Sequence, residues 1–272
     1  TTNAASVLRH MEYCRQCLWP MLDVHLISIT EQWAQYSVAG PNSRRVLQKI
    51  IANDFNISNE SFPYMACGEC TLHNSIPVRL FRISFSGELA YEIAAPTRYG
   101  DALIRMLMEA GKEYDIVPYG TEALGTMRIE KGHPAGNELT GQTTARDLGL
   151  ARMVSKKKDC IGNILSERPE LNSTSGLALV GFIPIDQSKE LSAGAHFVSV
   201  NREFTTENDE GWMTSVTYSP SLRHSIGIGF IKQGNDRFGE IVVAVDFLRN
   251  RYIKVKIVSP HFLDPEGVRL RV

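Results

Sequence analysis

The sequence predicts an α+β domain followed by a small all-β domain. In residues 1–170, apolar side chains recur at helical spacing in some stretches and alternate as in strands in others, which is typical of helices packed on a sheet. At 168–176 the composition turns polar and rich in turn formers, so we place the domain boundary there. In residues 175–272 short strand-like runs follow one another with turns between them, which indicates a small barrel or a sandwich.

The predicted elements of the first domain mix helices with strands. Thr2 or Asn3 caps the first helix, Pro20 helps to stop it, and Gly132 suits the end of the last one. The predicted helices cover about 3–18, a stretch after the turn at 40–42, then 101–113 and 120–131. The predicted strands cover 24–29, 33–38, 64–72, 76–85 and 92–95. In the second domain the strand-like runs are 177–185, 196–200, 214–218, 225–231, 241–245 and 253–258.

The stretch RLFRISFSGELAYE at 79–92 predicts a strand, a tight turn at Ser86-Gly87 and a returning strand. Such a hairpin would hold Phe85 near Glu92, so that an apolar ring and a carboxylate face a flat heterocycle with N–H groups. The alternative is that Phe85 is a core residue and Glu92 a solvated strand residue. The alternation also changes phase after Leu80, which predicts a bulge or a strand buried on both faces.

The composition excludes several classes of function. The chain has 272 residues, is 43% hydrophobic and 22% charged, and carries a net charge of −1, which is ordinary for a globular protein and argues against a nucleic-acid or membrane partner. No apolar run is long enough to cross a bilayer, and no signal-peptide pattern opens the chain. Five cysteines favour a reducing compartment, so we expect a cytoplasmic location. The first residue is not Met, which we interpret as a cut end.

Two clusters invite a metal or anion interpretation. Cys14-x-x-Cys17 and Cys67-x-x-Cys70 provide four thiols, but the 49-residue gap of the sequence exceeds the usual ribbon spacing of about 15–20, so we predict no metal site and keep zinc as the alternative. The basic run at 156–158 is either part of the solvated surface or a binding site for the acidic tail of a ligand.

Arg128 lies on a predicted helix before Gly132 and either forms a structural ion pair or orients a ligand.

Several ordered motifs resemble one family over nearly the whole chain. They are EQWAQ with VAGP at 31–41, RISFSGELAYE at 82–92, PYGTEA with MRIEKG at 118–132, and DLGL with MVSKKK at 147–158. Together they resemble the aminomethyltransferase (glycine-cleavage T-protein) superfamily, and most closely the C-terminal part of the α subunit of heterotetrameric sarcosine oxidase. The resemblance implies an α+β folate-binding fold that lacks its N-terminal part, followed by a C-terminal antiparallel β-barrel.

The resemblance also implies a cofactor, which is tetrahydrofolate, while flavins and NAD would bind elsewhere in the full assembly. Phe85 would lie against the pterin and Glu92 would accept its N–H groups. Arg128, His133 and Arg152 are the other candidate cofactor-binding residues. Relatives often have an aromatic residue at the position of His133.

Three departures from the family pattern bear on activity. The family's folate-proximal Asp belongs to a segment before residue 31 that has no counterpart here. Arg152 stands where relatives often have Trp, and Ala123-Leu124-Gly125 replaces Ala-Arg-Asp. We therefore assign no catalytic residue and expect the isolated chain to be inactive and to associate with other subunits or with itself. The expected function is the one-carbon-transfer module of a sarcosine-oxidase-type subunit; the alternatives are a non-catalytic folate-fold scaffold or regulator and a stand-alone aminomethyltransferase.

Overall fold

A computed structural model describes residues 3–173 and 176–272 of the chain. Its contacts divide the chain into two compact units. The first holds the residues up to Ser84 together with Glu88–Pro118 and Arg269–Val272, and the second holds Phe85–Gly87 and Tyr119–Val268. The boundary predicted at 168–176 contains residues 174 and 175, which, like Thr2, lie outside the described residues.

The first unit is built on a four-stranded antiparallel sheet with the strand order β1-β4-β3-β2. Its elements, in chain order, are α1 (Ala4–Tyr13, continued by a π-helical turn at Cys14–Leu18), β1 (Trp33–Ala39), α2 (Ser43–Gln48), β2 (Cys67–Thr71), β3 (Pro77–Phe81), β4 (Ala90–Pro96) and α3 (Gly100–Gly111). The sheet turns one face to the core, where Ile93 of β4 packs with Leu47 of α2 and Leu103 of α3, and none of the three is exposed. Burial of such side chains is the main source of stability for this unit.

The second unit is a closed six-stranded antiparallel barrel with a helix on it. Its elements are α4 (Thr121–Lys131), α5 (Asn163–Ser166), β5 (Leu177–Pro184), β6 (His196–Ser199), β7 (Gly211–Ser219), β8 (His224–Lys232), β9 (Ile241–Asp246) and β10 (Arg251–Val258). Stacked rings of Phe182 and Phe197, with centroids 4.0 Å apart, help to fill the barrel core. Ile129 of α4 clusters with alternate residues of β8, so β8 is buried on both faces. The barrel prediction is thus confirmed, and each predicted run matches one strand.

Short 3-10 turns and one more helix complete the described chain. The turns are Thr30–Gln32, Thr97–Tyr99, Lys112–Tyr114, Ala151–Met153, Thr206–Asn208 and Gly234–Asp236, and the helix, α6, is Val268–Arg271. No helix in residues 3–173 and 176–272 is long and apolar enough to span a membrane.

The N-terminal segment departs from the sequence prediction. The first helix forms, but none of the residues of α1 is buried, and its apolar positions Val7 and Met11 are about half exposed at 50% and 48%. The strand predicted at 24–29 is wrong, because these residues have no regular structure. A strand is defined by hydrogen bonds to a neighbour, and β propensity cannot supply that neighbour.

The predicted hairpin at 79–92 is also wrong in its register. Strand β3 ends at Phe81, which pairs with Glu92 on β4, and eight residues connect the two strands. The change of phase after Leu80 reflects this strand end and not a bulge, because Arg82 turns its side chain into the unit and is fully buried.

Buried Arg82 ties the C-terminal residues into the first unit. Its Nη1 donates to the Phe62 carbonyl at 2.7 Å, and its Nη2 donates to the Val272 carbonyl at 2.8 Å. Arg44 donates to the same Val272 oxygen at 2.8 Å and to the Tyr91 hydroxyl at 2.9 Å. Burial lowers the pKa of Arg82, and the neighbouring Arg44 guanidinium lowers it further, while Tyr91 opposes the shift. A buried cation needs such acceptors, so Val272 supplies one of the two carbonyl acceptors of Arg82, while the buried Arg82 Nε has no hydrogen-bond partner in the described residues.

Gly211 at the start of β7 offers a direct test of barrel packing. Its φ is +151°, and a Cβ there would overlap the Phe230 carbonyl oxygen on the paired strand. We expect Gly211→Ala to lower the free energy of unfolding by roughly 3 kcal/mol or more, since both backbone strain and a backbone clash result. Denaturant titration measures the change. Gly136→Ala is the matched control, because a Cβ at Gly136 meets no atom within 4 Å; equal stability of the two variants would contradict the prediction.

Candidate functional site

Helix α4 ends at a corner that only glycine can form. Gly132 has a φ of +77°, and a Cβ there would overlap the Pro260 carbonyl oxygen. The carbonyl of Glu130 accepts hydrogen bonds from the amides of Phe262 and Leu263, each at 3.0 Å. The end of α4 is therefore fixed, and the loop that leaves it starts from a defined position.

Arg128 holds the loop at 133–138 through its guanidinium. Its Nη1 donates to the Glu138 carboxylate at 2.9 Å and to the His133 carbonyl at 3.3 Å, and its Nη2 donates to the Ser215 hydroxyl at 2.7 Å. Glu138 is fully buried and also accepts from the Ser215 hydroxyl at 2.6 Å and from the Ala135 amide at 2.8 Å. The structural ion pair considered for Arg128 is therefore present, and it joins α4, the loop and β7.

His133 stacks on Phe85, and both residues belong to the second unit. The ring centroids lie 5.9 Å apart with an angle of 26° between the planes. The Nδ1 of His133 lies 3.0 Å from the Phe85 carbonyl oxygen. Burial lowers the pKa of His133, the Phe85 carbonyl raises it, and the charges of Lys131 and His261 lower it. The Phe85 side chain is 39% exposed, so part of its ring is open to solvent.

The turn after Phe85 also packs closely on the end of α4. Gly87 has a φ of +86°, and a Cβ there would lie 2.9 Å from the Lys131 side chain. The Lys131 Nζ is paired with the Asp264 carboxylate at 3.2 Å and also donates to the Asp264 carbonyl. Glycine at this position is therefore needed for both the backbone angle and the close contact, as the turn prediction required.

Glu92 lies on the other compact unit, on the sheet face opposite the core. It is half-buried on β4 and accepts a short hydrogen bond from the Gln35 amide on β1. Its paired residues are Ser37 on β1 and Phe81 on β3. A carboxylate with one such donor keeps acceptor capacity for a ligand.

The remaining basic candidates are on the surface. Arg152 lies in the 3-10 turn Ala151–Met153 and is exposed. The run at 156–158 is exposed and has no regular secondary structure. Of the five candidate residues, three are brought together by the structure: Phe85 contacts His133, and His133 contacts Arg128. In the described residues Arg152 contacts none of these three.

The cysteines form no metal-binding cluster in the described residues, where no three His, Cys, Asp or Glu side chains converge. Cys14 is buried, Cys17 and Cys67 are exposed, and all are free thiols. Burial, with a smaller contribution from the Asp54 charge, raises the pKa of Cys70 to about 11. Neutral Cys70 is a poor metal ligand, since the thiolate is the ligand form.

An open cleft of about 610 Å³ lies between α4 and β7 within the second unit. Its lining mixes polar and apolar groups, and the polar ones include Glu122, Thr126, Asn137 and Thr217. The Thr126 and Thr217 hydroxyls lie 2.8 Å apart and so use part of their hydrogen-bonding capacity on each other. The cleft borders Arg128 and Ser215, so the network that holds the 133–138 loop also forms part of its wall.

Two protein-family models match this chain and define its class. The model of the GCVT N-terminal domain matches residues 1–158, and that of the glycine cleavage T-protein C-terminal barrel domain matches residues 178–264. The chain therefore belongs to the glycine cleavage T-protein family. A crystal structure of the glycine cleavage system aminomethyltransferase T from Bartonella henselae has the same fold, with a TM-score of 0.77 and 22% identity over 97% of this chain and 67% of that one.

Among particular relatives, the sarcosine oxidase subunit alpha of Rhizobium meliloti (strain 1021) is 43% identical over 100% of this chain and 28% of its own length. The aminomethyltransferase of Geobacillus sp. (strain WCH70) is 29% identical over 96% of this chain and 68% of its own length. Human mitochondrial dimethylglycine dehydrogenase is 30% identical over 92% of this chain and 28% of its own length. The chain thus spans about a quarter of the length of the sarcosine oxidase subunits that it matches.

Sequence reasoning missed most of the partners in the site. It did not find Ser215, which lies 87 residues from Arg128. Nor did it find the pair of Lys131 and Asp264, which are 133 residues apart. The only signal available was the motif MRIEKGHPAGNEL at 127–139, which places Arg, Lys and Glu around a terminal glycine.

The buried ion pair predicts a large effect of one substitution. Glu138→Ala leaves the Arg128 guanidinium buried without its carboxylate, which should cost about 3–5 kcal/mol of folding free energy. Asp101→Asn is the control, because Asp101 pairs with Arg105 on α3 while 77% exposed, and should lower stability far less than Glu138→Ala does, since solvent screens an exposed pair. Denaturant unfolding of both variants gives the comparison. Similar losses of folding free energy in Glu138→Ala and Asp101→Asn would mean that burial does not strengthen the pair of Arg128 and Glu138.

The two neighbouring thiols of β2 should differ in reactivity. At pH 8 a thiol with a pKa near 11 is about one part in a thousand thiolate. We therefore expect iodoacetamide to modify exposed Cys67 at least about ten-fold faster than Cys70 in the folded protein. Peptide mass spectrometry of timed samples measures both rates, and unfolded protein serves as the control in which the difference should vanish. Equal rates in the folded chain would contradict the burial of Cys70.

Proposed function

We propose that this chain is a tetrahydrofolate-binding one-carbon-transfer module of a sarcosine-oxidase-type alpha subunit. The observation that carries the proposal is the match over the whole chain to sarcosine oxidase subunit alpha at 43% identity. The family match over residues 1–158 and 178–264 supports it independently. In such an assembly, other parts oxidise sarcosine, and this module takes up the released one-carbon unit on folate to give methylene-tetrahydrofolate.

Phe85 and Glu92, each considered within its own compact unit, carry groups that suit a reduced pterin. The half-open Phe85 ring offers an apolar plate of the kind on which flat heterocycles stack. The Glu92 carboxylate offers acceptor oxygens for ring N–H groups. A bound tetrahydrofolate supplies the nitrogen atoms that receive the one-carbon unit. This chain's own contribution is to bind and orient the ring, and we assign no proton transfer to any of its residues.

A second candidate function is a folate-fold protein without turnover, acting as a scaffold or regulator. It is favoured by exposed Arg152, which stands where relatives often have Trp. In either case we propose that the protein works with other subunits, in the cytoplasm. Binding of a reduced folate without product formation by the full assembly would select the second candidate.

Calorimetric titration with 5-formyltetrahydrofolate tests the binding role. Glu92→Gln replaces an acceptor by a donor facing the ring N–H groups, and we expect roughly ten-fold weaker binding or more, since a charge-assisted hydrogen bond is worth about 1.5–3 kcal/mol. Phe85→Leu should weaken binding less, because it removes apolar area and leaves no polar group unpaired. Arg152→Trp should strengthen binding by restoring a stacking ring.

Glu69→Gln is the matched control, since Glu69 lies on the same sheet in β2 and pairs with Arg79. It should leave the affinity unchanged. Equal affinity of Glu92→Gln and the parent protein would locate the ligand away from Glu92. Absence of binding by the parent protein would overturn the proposed function.

A further inference from the structure

The imidazole of His133 uses one of its two nitrogen atoms in a contact with the Phe85 backbone. Its Nδ1 lies 3.0 Å from the Phe85 carbonyl, which can only accept a hydrogen bond. The proton of Nδ1 therefore stays in place in both charge states of the ring. Only Nε2 gains or loses a proton, and in the neutral ring it carries a lone pair.

Nothing in residues 3–173 and 176–272 forms a hydrogen bond with this Nε2. The ring is half-buried, and its Nδ1 and its stacking face are already engaged by Phe85. A partly buried acceptor favours a hydrogen bond from a ligand N–H group, because the ligand displaces a water molecule that is poorly ordered there.

The surroundings fix the position of the ring. The His133 amide donates to the Arg128 carbonyl at 2.8 Å, and the His133 carbonyl accepts from the Arg128 guanidinium at 3.3 Å. Both polar groups of the His133 backbone are thus held by one residue, which is itself anchored to Glu138. A side chain whose backbone and ring are both fixed loses little further freedom when a ligand binds.

We propose that His133 binds the ring ligand directly, accepting a hydrogen bond through Nε2 from an N–H of a flat nitrogen heterocycle that lies against Phe85. This inference rests on the proposed function and adds to it a specificity-determining residue and a pH dependence. The chemical class that fits is a reduced pterin, which combines a stacking face with ring N–H donors.

The charges around the ring favour the form that accepts. The charges of Lys131 at the end of α4 and of His261 on the segment after β10 lower the pKa of His133 in addition to the effect of burial. Lys131 is paired with Asp264, and His261 is held through its own Nδ1, 2.9 Å from the Lys131 carbonyl. At neutral pH the Nε2 of His133 is therefore an acceptor. Protonation turns it into a donor, so the affinity should be full above the pKa and should fall as the pH is lowered through it.

Calorimetric titration with 5-formyltetrahydrofolate between pH 5 and pH 8 tests the proposal. For the parent protein we expect the affinity to fall by up to about ten-fold per pH unit once the pH is below the pKa of His133. His133→Asn keeps a donor for the Phe85 carbonyl but has no group at the place of Nε2. We expect it to bind about ten-fold more weakly at pH 8 and to lose that part of the pH dependence.

His133→Phe provides a second variant that keeps a stacking ring and removes both nitrogen atoms, and it should behave like His133→Asn. His196→Asn is the control, because His196 is an exposed histidine on β6 that pairs with Asp209, and its pH profile should equal that of the parent. In the free protein, nitrogen NMR shifts should show that Nε2 of His133 titrates while Nδ1 remains protonated.

The outcomes separate this inference from the proposed function. If the parent binds, Glu92→Gln weakens binding, and both His133 variants match the parent in affinity and pH profile, the proposed function stands and the role of His133 is overturned. Titration at Nδ1 would overturn it as well. Failure of the parent protein to bind would overturn both proposals.

Discussion

The ion pair between Arg128 and Glu138 is the interaction on which the geometry of the candidate site depends. It is almost completely removed from water, so neither charge can be satisfied elsewhere without a cost of several kcal/mol. Because the same guanidinium also reaches Ser215 and the His133 carbonyl, it links a helix, a loop and a barrel strand. A ligand that bound to His133 would contact a loop whose position is set by the barrel.

A second constraint comes from two glycines, each of which lies where another part of the chain comes close to the backbone. Gly132 lets the chain leave α4 beside Pro260, and Gly87 lets the turn after Phe85 lie on Lys131. Both have positive φ, so the backbone angle and the lack of a side chain are needed at the same positions. The Phe85–His133 stack depends on both, since one glycine positions each ring. The end of α4 and the loop that follows it are therefore fixed by local backbone geometry as much as by the ion pair of Arg128 and Glu138.

The sequence predicted those elements whose signal is local. The alternating runs of the barrel, the spacing of Leu103 and Leu107 in α3, and the glycine after α4 all depend on neighbours within a few residues. The segment 24–29 has the composition of a strand, but whether it pairs depends on chain far from it. For the same reason the register of Phe81 with Glu92, and the contact of Arg128 with Ser215, could not be read from the sequence. The candidate site was proposed from its motif, whereas the hydrogen-bonding partners of its residues could be identified only from the fold.

The contact of Arg82 with Val272 has a consequence for the order of events during synthesis. Phe62, the other acceptor of Arg82, leaves the ribosome early, but Val272 is 190 residues further along the chain than Arg82. The first unit therefore cannot reach its final state while the barrel strands are still being made. Until then the Arg82 guanidinium can donate to the Phe62 carbonyl but lacks the Val272 carbonyl, so the nascent first unit is less stable than the finished one. Completion of the first unit is thus coupled to synthesis of the second by the C-terminal residues, through the Val272 carbonyl and the pair of Arg269 with Glu88.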